Sequence, residues 1–400
     1  MAKRVSVDRW MFTVTTILVF IGLVMIFSAS AVMAKERFGS AYQFLFKQLV
    51  WAVAGLVAMV VAMKADYKRL QHPALVFTLL GFTTLFLISV FFLDRAHGTH
   101  RWFRVGPVSF QPSELAKPAL IFFLAWFLGN QSVASNASAR DERGSTSERG
   151  STSKRRWFGS RLAASSSQLN FMDDWRHTLI PAITPTVVFL GLIVFQPDLG
   201  TAIACAGITA CILFVAGIRL RYFGYALAAS ILPLYFLIFH VSYRKDRILA
   251  FMNPYADPQG RGFHMIQSLI AVATGGITGL GLMEGKQKLF YLPEPHTDFI
   301  FAVTAEELGL LGSLAVIILF AIFLWRGTRA ALRTQDSFGR FLAVGITSMI
   351  VLQAFINISV VLGLMPTKGI PLPFVSYGGS SLFVTLACVG VLLNITKQAE

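Results

Sequence analysis

Residues 11–33 contain no charged side chain. A helix rising about 1.5 Å per residue crosses a hydrocarbon core of about 30 Å in roughly 20 residues, so this run is long enough to span a bilayer. Similar runs recur at 45–63, 73–93, 113–129, 177–196, 199–217, 222–243, 299–325, 339–363 and 372–395. They predict an all-α polytopic membrane protein of about ten transmembrane helices in one domain, 1–400. Composition agrees: 55% of residues are hydrophobic and 14% charged, against roughly 25% charged in soluble domains.

The formal net charge of +15 would suit nucleic acid if it were gathered on one face, but it is dispersed. With the N-terminus inside, cytoplasmic segments hold 21 of the 35 Lys and Arg residues. That bias follows the positive-inside rule, puts both termini in the cytoplasm and argues against nucleic acid as a partner. Cys205, Cys211 and Cys388 all lie in apolar runs without metal-ligand spacing, as buried small hydrophobes do. The basic start "MAKRVSVDRW" precedes an apolar run too long for a signal-peptide core, so an uncleaved first helix is expected.

Three loops stand apart. Segment 130–176 is basic and Ser-rich and contains the tandem repeat "ERGSTSERGSTS". It has too little apolar surface to offset its ordering entropy, and cytoplasmic disorder is expected. The outer loop 94–112 carries Arg101, Trp102 and Arg104. The outer loop 244–298 is long but has helix-like apolar stretches and Gly-rich turns, and is expected to be ordered at the outer membrane surface.

The ionisable residues concentrate near one rim. "LPEPHTDFIFAVTAEELG" at 292–309 brings together His296, Asp298, Glu306 and Glu307. Thr297 or Asp298 would cap the helix that follows; a capping carboxylate with its second oxygen available is also a competent proton acceptor. Glu306 and Glu307 fall at membrane depth, where an acid faces the bundle interior and pairs with a cation or lines a polar path. Glu114 and Lys117 are three apart on one helix face and either pair with each other or present Lys117 to an anionic ligand. Trp102 serves as a belt aromatic or stacks on a sugar between Arg101 and Arg104. Asp198 belongs to a turn in "QPDLGT". Arg247 is either solvated charge or part of a phosphate clamp. In "MPTKGIPLPFVSYGGSSL", Lys368, Ser376, Gly378 and Gly379 combine a cation with small residues whose backbone N–H groups suit an anion. Among rival readings, a lipid-linked-substrate enzyme, a lipid flippase and a non-catalytic scaffold all fit these residues.

Several long blocks in order, "RWFRVGPVSFQPSELAKPAL", "FQPDLGTA", "NPYADPQGRGFHMIQSL", "QKLFYLPEPHTDFIFAVTAEELG" and "GLMPTKGIPLPFVSYGGSS", resemble the SEDS family (shape, elongation, division and sporulation). The division branch matches better than the elongation branch. The resemblance implies a SEDS-type bundle and a peptidoglycan glycosyltransferase in the bacterial cytoplasmic (inner) membrane, with its active site on the extracytoplasmic side. The implied substrate is lipid II and the implied leaving group undecaprenyl pyrophosphate. The implied partners are a class B penicillin-binding protein, which is a transpeptidase, and other division or elongation machinery. Asp298 matches the family's essential acid; Trp102, Glu114 and Lys117 match supporting positions. No cofactor is certain, but a divalent cation, Mg2+ or Mn2+, held by Asp298 and the pyrophosphate would turn that acid from base to ligand.

Overall fold

The computed structural model describes residues 8–93, 103–105, 108–147, 178–289 and 291–399. Ten of its long helices coincide with the ten expected spans. They are α1 (Arg9–Phe38), α2 (Gln43–Lys64), α3 (Pro73–Leu93), α4 (Pro112–Ser147), α5 (Ile180–Phe195), α6 (Leu199–Val215), α7 (Leu220–Phe239), α10 (Ile300–Arg333), α11 (Ser337–Val361) and α12 (Gly379–Ala399). Two shorter helices, α8 (Ser242–Met252) and α9 (Phe263–Gly275), lie in the loop between α7 and α10. Among the described residues, seven helices have both the length and the hydropathy of a bilayer crossing. Of the other three, α5 and α6 have 16 and 17 residues, and α4 begins with the charged pair Glu114 and Lys117.

The core forms around α11, which packs against α4, α6 and α10, and around the pairing of α12 with α2. Their apolar residues are hidden from all sides: Leu342, Ile350, Leu386 and Val389 are completely buried. Large apolar side chains on the periphery point outward instead, among them Phe20, Phe46, Leu85 and Phe195. A bundle dissolved in lipid needs no polar outer face. Helix α7 is the extreme case, with no buried residue.

Helix α10 is broken. Gly309 adopts φ +66° and ψ −162°, outside helical geometry. Segment 276–281 inserts into the break and exchanges backbone hydrogen bonds with it. The Leu280 and Gly281 N–H groups donate to the Glu306 and Glu307 carbonyls, and the Leu310 and Leu311 N–H groups donate to the Gly276 and Ile277 carbonyls. Irregular backbone is tolerated inside a membrane protein only when its polar groups are satisfied in this way. Glycine is required at the crossing, because a Cβ on Gly279 would lie 2.1 Å from the Glu307 carbonyl oxygen. The segment 244–298, expected to be an ordered outer loop, carries α9 and most of α8. Its Gly-rich turns, however, reach into the break instead of resting at the surface.

Two further differences stand out. An antiparallel ribbon, β1 (Phe103–Val105) with β2 (Val108–Phe110), precedes α4 and pairs Phe103 with Phe110. Helix α4 also continues to Ser147, into the segment expected to be disordered; that stretch lacks proline, and glycine first appears at 144. Residues 148–177, including the second copy of the tandem hexapeptide, lie outside the described residues.

Candidate active site

Asp298 lies one residue before Phe299, the N-cap of α10, so neither it nor Thr297 occupies the cap position. Its backbone is held from behind by α11 and the loop that joins it to α12. Tyr377 N–H donates to the His296 carbonyl at 2.9 Å, and Ser376 Oγ donates to the Thr297 carbonyl at 2.6 Å. Asn357 Nδ2 donates to the Asp298 carbonyl at 2.8 Å and to the Ile370 carbonyl at 2.8 Å. Three consecutive carbonyls are thus fixed, which leaves the Asp298 side chain little backbone freedom. Prolines 293 and 295 stiffen the approach to it.

The half-buried Asp298 side chain lines two cavities, of about 280 and 490 Å³. Tyr243, Arg247, Thr367, Lys368 and Gly369 line both as well. Arg247 donates to the Thr367 carbonyl at 2.9 Å and to the Tyr243 hydroxyl. Its guanidinium also lies 4.3 Å from the centre of the Tyr243 ring, which fixes its position on the shared wall. Burial pushes the Lys368 amine below its usual range, and the neighbouring Arg247 charge adds to that effect. Gly369 leaves space for the acid: a Cβ there would lie 2.8 Å from Asp298 Oδ2.

The smaller cavity is also walled by Asp198 and Arg244. Asp198 is the N-cap of α6 and accepts from Thr201 N–H and Oγ1, Gln111 Nε2 and Ser113 Oγ. It is an anchor for the cavity wall. His296 is buried behind Asp298 against the Phe44 and Tyr377 rings. Burial holds its pKa below 6.5, with Glu294 opposing and Arg37 reinforcing that shift.

The remaining expected site residues are arranged differently. Lys117 is 1% exposed and bonds Glu114 at 2.8 Å, while Ser381 Oγ donates to the same Glu114 oxygen at 2.7 Å. This is the mutual pairing, not the ligand-facing lysine, and neither residue lines the two Asp298 cavities. Glu306 accepts from the Lys286 and Gln287 N–H groups. Glu307 accepts from Ser28 Oγ, Met283 N–H and Lys288 Nζ, the last at 2.6 Å. The cation that pairs with Glu307 is therefore Lys288. The Gly378 N–H is taken by Gln48 Oε1 at 3.2 Å, and Gly379 starts α12 against the Trp51 ring; neither is arranged as an anion nest. Arg101 and Trp102 lie outside the described residues, and Arg104 is described only as a β1 position. Among the described residues, no three His, Cys, Asp or Glu side chains converge as a metal-binding group.

Sequence reasoning missed Asn357, Tyr243 and Lys288. Asn357 carried a usable signal, a polar side chain inside the apolar run "AFINISVV". Tyr243 and Lys288 carried none, because their roles arise from chain segments that meet only in the fold.

The FtsW/RodA/SpoVE family model, described as cell cycle protein, matches residues 8–400. A Geobacter metallireducens protein named probable peptidoglycan glycosyltransferase FtsW is 42% identical over 95% of this chain and 92% of its own length. Stage V sporulation protein E of Bacillus subtilis is 40% identical over 100% of this chain and 99% of its own length. Among solved structures, a chain from a peptidoglycan synthase complex that coordinates polymerization and crosslinking superposes with a TM-score of 0.71 at 28% identity, covering 98% of both chains. The rod shape determining protein RodA of Thermus thermophilus superposes with a TM-score of 0.64 at 25% identity, covering 98% of this chain and 97% of its own. By motif order, bundle architecture and full-length match, this chain belongs to the FtsW/RodA/SpoVE family of cell cycle proteins.

Proposed function

We propose that this chain is a peptidoglycan glycosyltransferase that polymerises lipid II into glycan strands during septal cell-wall synthesis. The observation that carries the reading is the shared wall: one half-buried acid, Asp298, lies between two cavities beside Arg247 and Lys368. A glycosyl transfer needs two sugar sites that meet at one proton acceptor, with cations where a diphosphate departs. Asp298 takes the proton of the acceptor 4-hydroxyl as that oxygen bonds to the donor's C1. The C1–O bond to undecaprenyl pyrophosphate breaks, and the electron pair leaves with the diphosphate. Lys368 and Arg247 stabilise that charge, a term of about 2.7–4 kcal/mol per donor at preorganised sites. Base catalysis contributes about 10²–10⁴-fold.

A divalent cation, where bound, would be held by Asp298 and the substrate's phosphates, which would make that acid a ligand in place of the base. Such an ion would supply charge neutralisation to the leaving group. On the positive-inside rule, Asp298 faces the extracytoplasmic side and both termini the cytoplasm. Arg326, Arg329, Arg333 and Arg340 lie at the opposite end of α10 and its turn into α11. A class B penicillin-binding protein is the proposed partner; the related synthase complex, which couples polymerization to crosslinking, supports this.

The test uses purified protein with its partner and labelled lipid II. Wild type makes glycan polymer, while Asp298→Asn and Asp298→Ala stay folded and partner-bound but lose it by about 10²-fold or more. Polymer from the variants at the wild-type rate, or flipping of lipid II without polymer, would refute the proposal.

A further inference from the structure

A third cavity, of about 360 Å³, lies between α6 and α11 and is almost wholly apolar. Its wall on α6 is Ile203, Ala204 and Gly207. These residues continue the helix face on which Leu199 and Gly200 line the smaller Asp298 cavity. On α11 the wall is Leu352, Phe355, Ile356 and Val360, again at helical spacing. The run from 199 to 207, like that from 352 to 360, is about 12 Å long. Small residues on α6 open the channel: glycine at 207 and alanine at 204 leave space where a larger side chain would close it. The one charged residue of this groove is Lys368, which also lines both Asp298 cavities.

We infer that the groove between α6 and α11 holds the first isoprene units of a polyprenyl pyrophosphate whose diphosphate rests against Lys368 in the acid-bearing cavity. The inference rests on the glycosyltransferase reading and names where that substrate's tail runs. The groove and the polar cavity share Pro366 and Lys368, so a ligand that follows them must be anionic at one end and apolar along the rest. Lys368 suits the junction because a lysine stem covers apolar surface while its ammonium reaches polar surroundings.

The test uses the full chain carrying Asp298→Asn in nanodiscs, so that binding is read without turnover. The probe is an undecaprenyl pyrophosphate analogue with a diazirine in its second isoprene unit, and labelled peptides are mapped by mass spectrometry. Label is expected on peptides containing 203–207 and 352–360. Unlabelled undecaprenyl pyrophosphate should compete it away, and dioleoylphosphatidylglycerol should not. Adding Ala204→Leu should lower groove labelling by about tenfold. If that variant fails to fold, Ile203→Trp fills the channel from its more exposed edge. Label confined to other helices, equal competition by the phospholipid, or unchanged labelling in a folded groove-filled variant would each overturn the inference. Polymer made by wild type is scored separately. Polymer without groove labelling removes only the groove, whereas groove labelling without polymer removes the glycosyltransferase reading.

Discussion

Replacing Lys288 with methionine should destabilise this protein far more than removing a surface charge. Lys288 Nζ lies 2.6 Å from Glu307 Oε1, with the two side chains 3% and 0% exposed, and 3.0 Å from Ser28 Oγ. Lys288→Met keeps the stem and deletes the ammonium. Glu307 would retain Ser28 and the Met283 N–H but lose the Lys288 ammonium, its ion-pair partner among the described residues. Removing one member of a buried pair typically costs about 3–5 kcal/mol, because the other charge is left uncompensated. Replacing both by apolar residues is often neutral or stabilising by about 1–4 kcal/mol. The double variant Lys288→Met with Glu307→Leu should therefore recover most of the loss. The assay is thermal unfolding of all four proteins in the same nanodiscs, read as a double-mutant cycle. A Lys288→Met protein as stable as wild type, or a double variant no better than the poorer single one, would refute the view that this pair anchors the inserted loop.

Gly369→Ala should keep the fold while lowering polymerisation by about 10²-fold, since its Cβ would press on Asp298 Oδ2 and small displacements at a reacting group cost on that order; single-turnover kinetics check it. The Lys368 amine titrates below 10.5, so activity should fall on the alkaline side as that charge is lost; in Lys368→Arg, a pH profile of kcat/KM should show the fall moved to higher pH. His296 has a folded-state pKa below its ordinary 6.5, so the unfolded chain takes up its proton first as pH drops. Its contribution to stability is present above 6.5 and is lost as pH falls through the lowered value. His296→Phe should flatten the acid side of a melting-temperature profile below pH 6.5.

The spans were legible because charge-free runs and bilayer thickness leave few alternatives, and each expected run has a helix. Asp298 was legible as a chemical group, and Arg247 and Lys368 as its companions, because cations and an acid in turn-rich segments at one rim stand out against apolar surroundings. The pairing of the buried charges was not. Glu114 with Lys117 follows from local spacing, but Glu307 with Lys288 depends on how a Gly-rich segment crosses a helix break. No periodicity encodes that crossing. The break itself also went unread, since a lone glycine within a helical run is ordinarily tolerated and no proline accompanies Gly309. The helical extension of α4 past 130 was missed for a related reason. Ser-rich composition suggests disorder, yet alanine, arginine and glutamate among the serines support helix.

The bond between Ser28 and Glu307 joins positions 279 residues apart. At roughly 5–20 residues per second of synthesis, Glu307 follows Ser28 from the ribosome by about 15–55 seconds. During that interval the first span must wait in lipid with its serine unsatisfied by its final neighbour, while six further spans are inserted. Completion of the inserted loop is thus a late event in biogenesis. A nascent chain truncated before 307 should carry an unlatched N-terminal helix, which membrane quality-control proteases would find accessible.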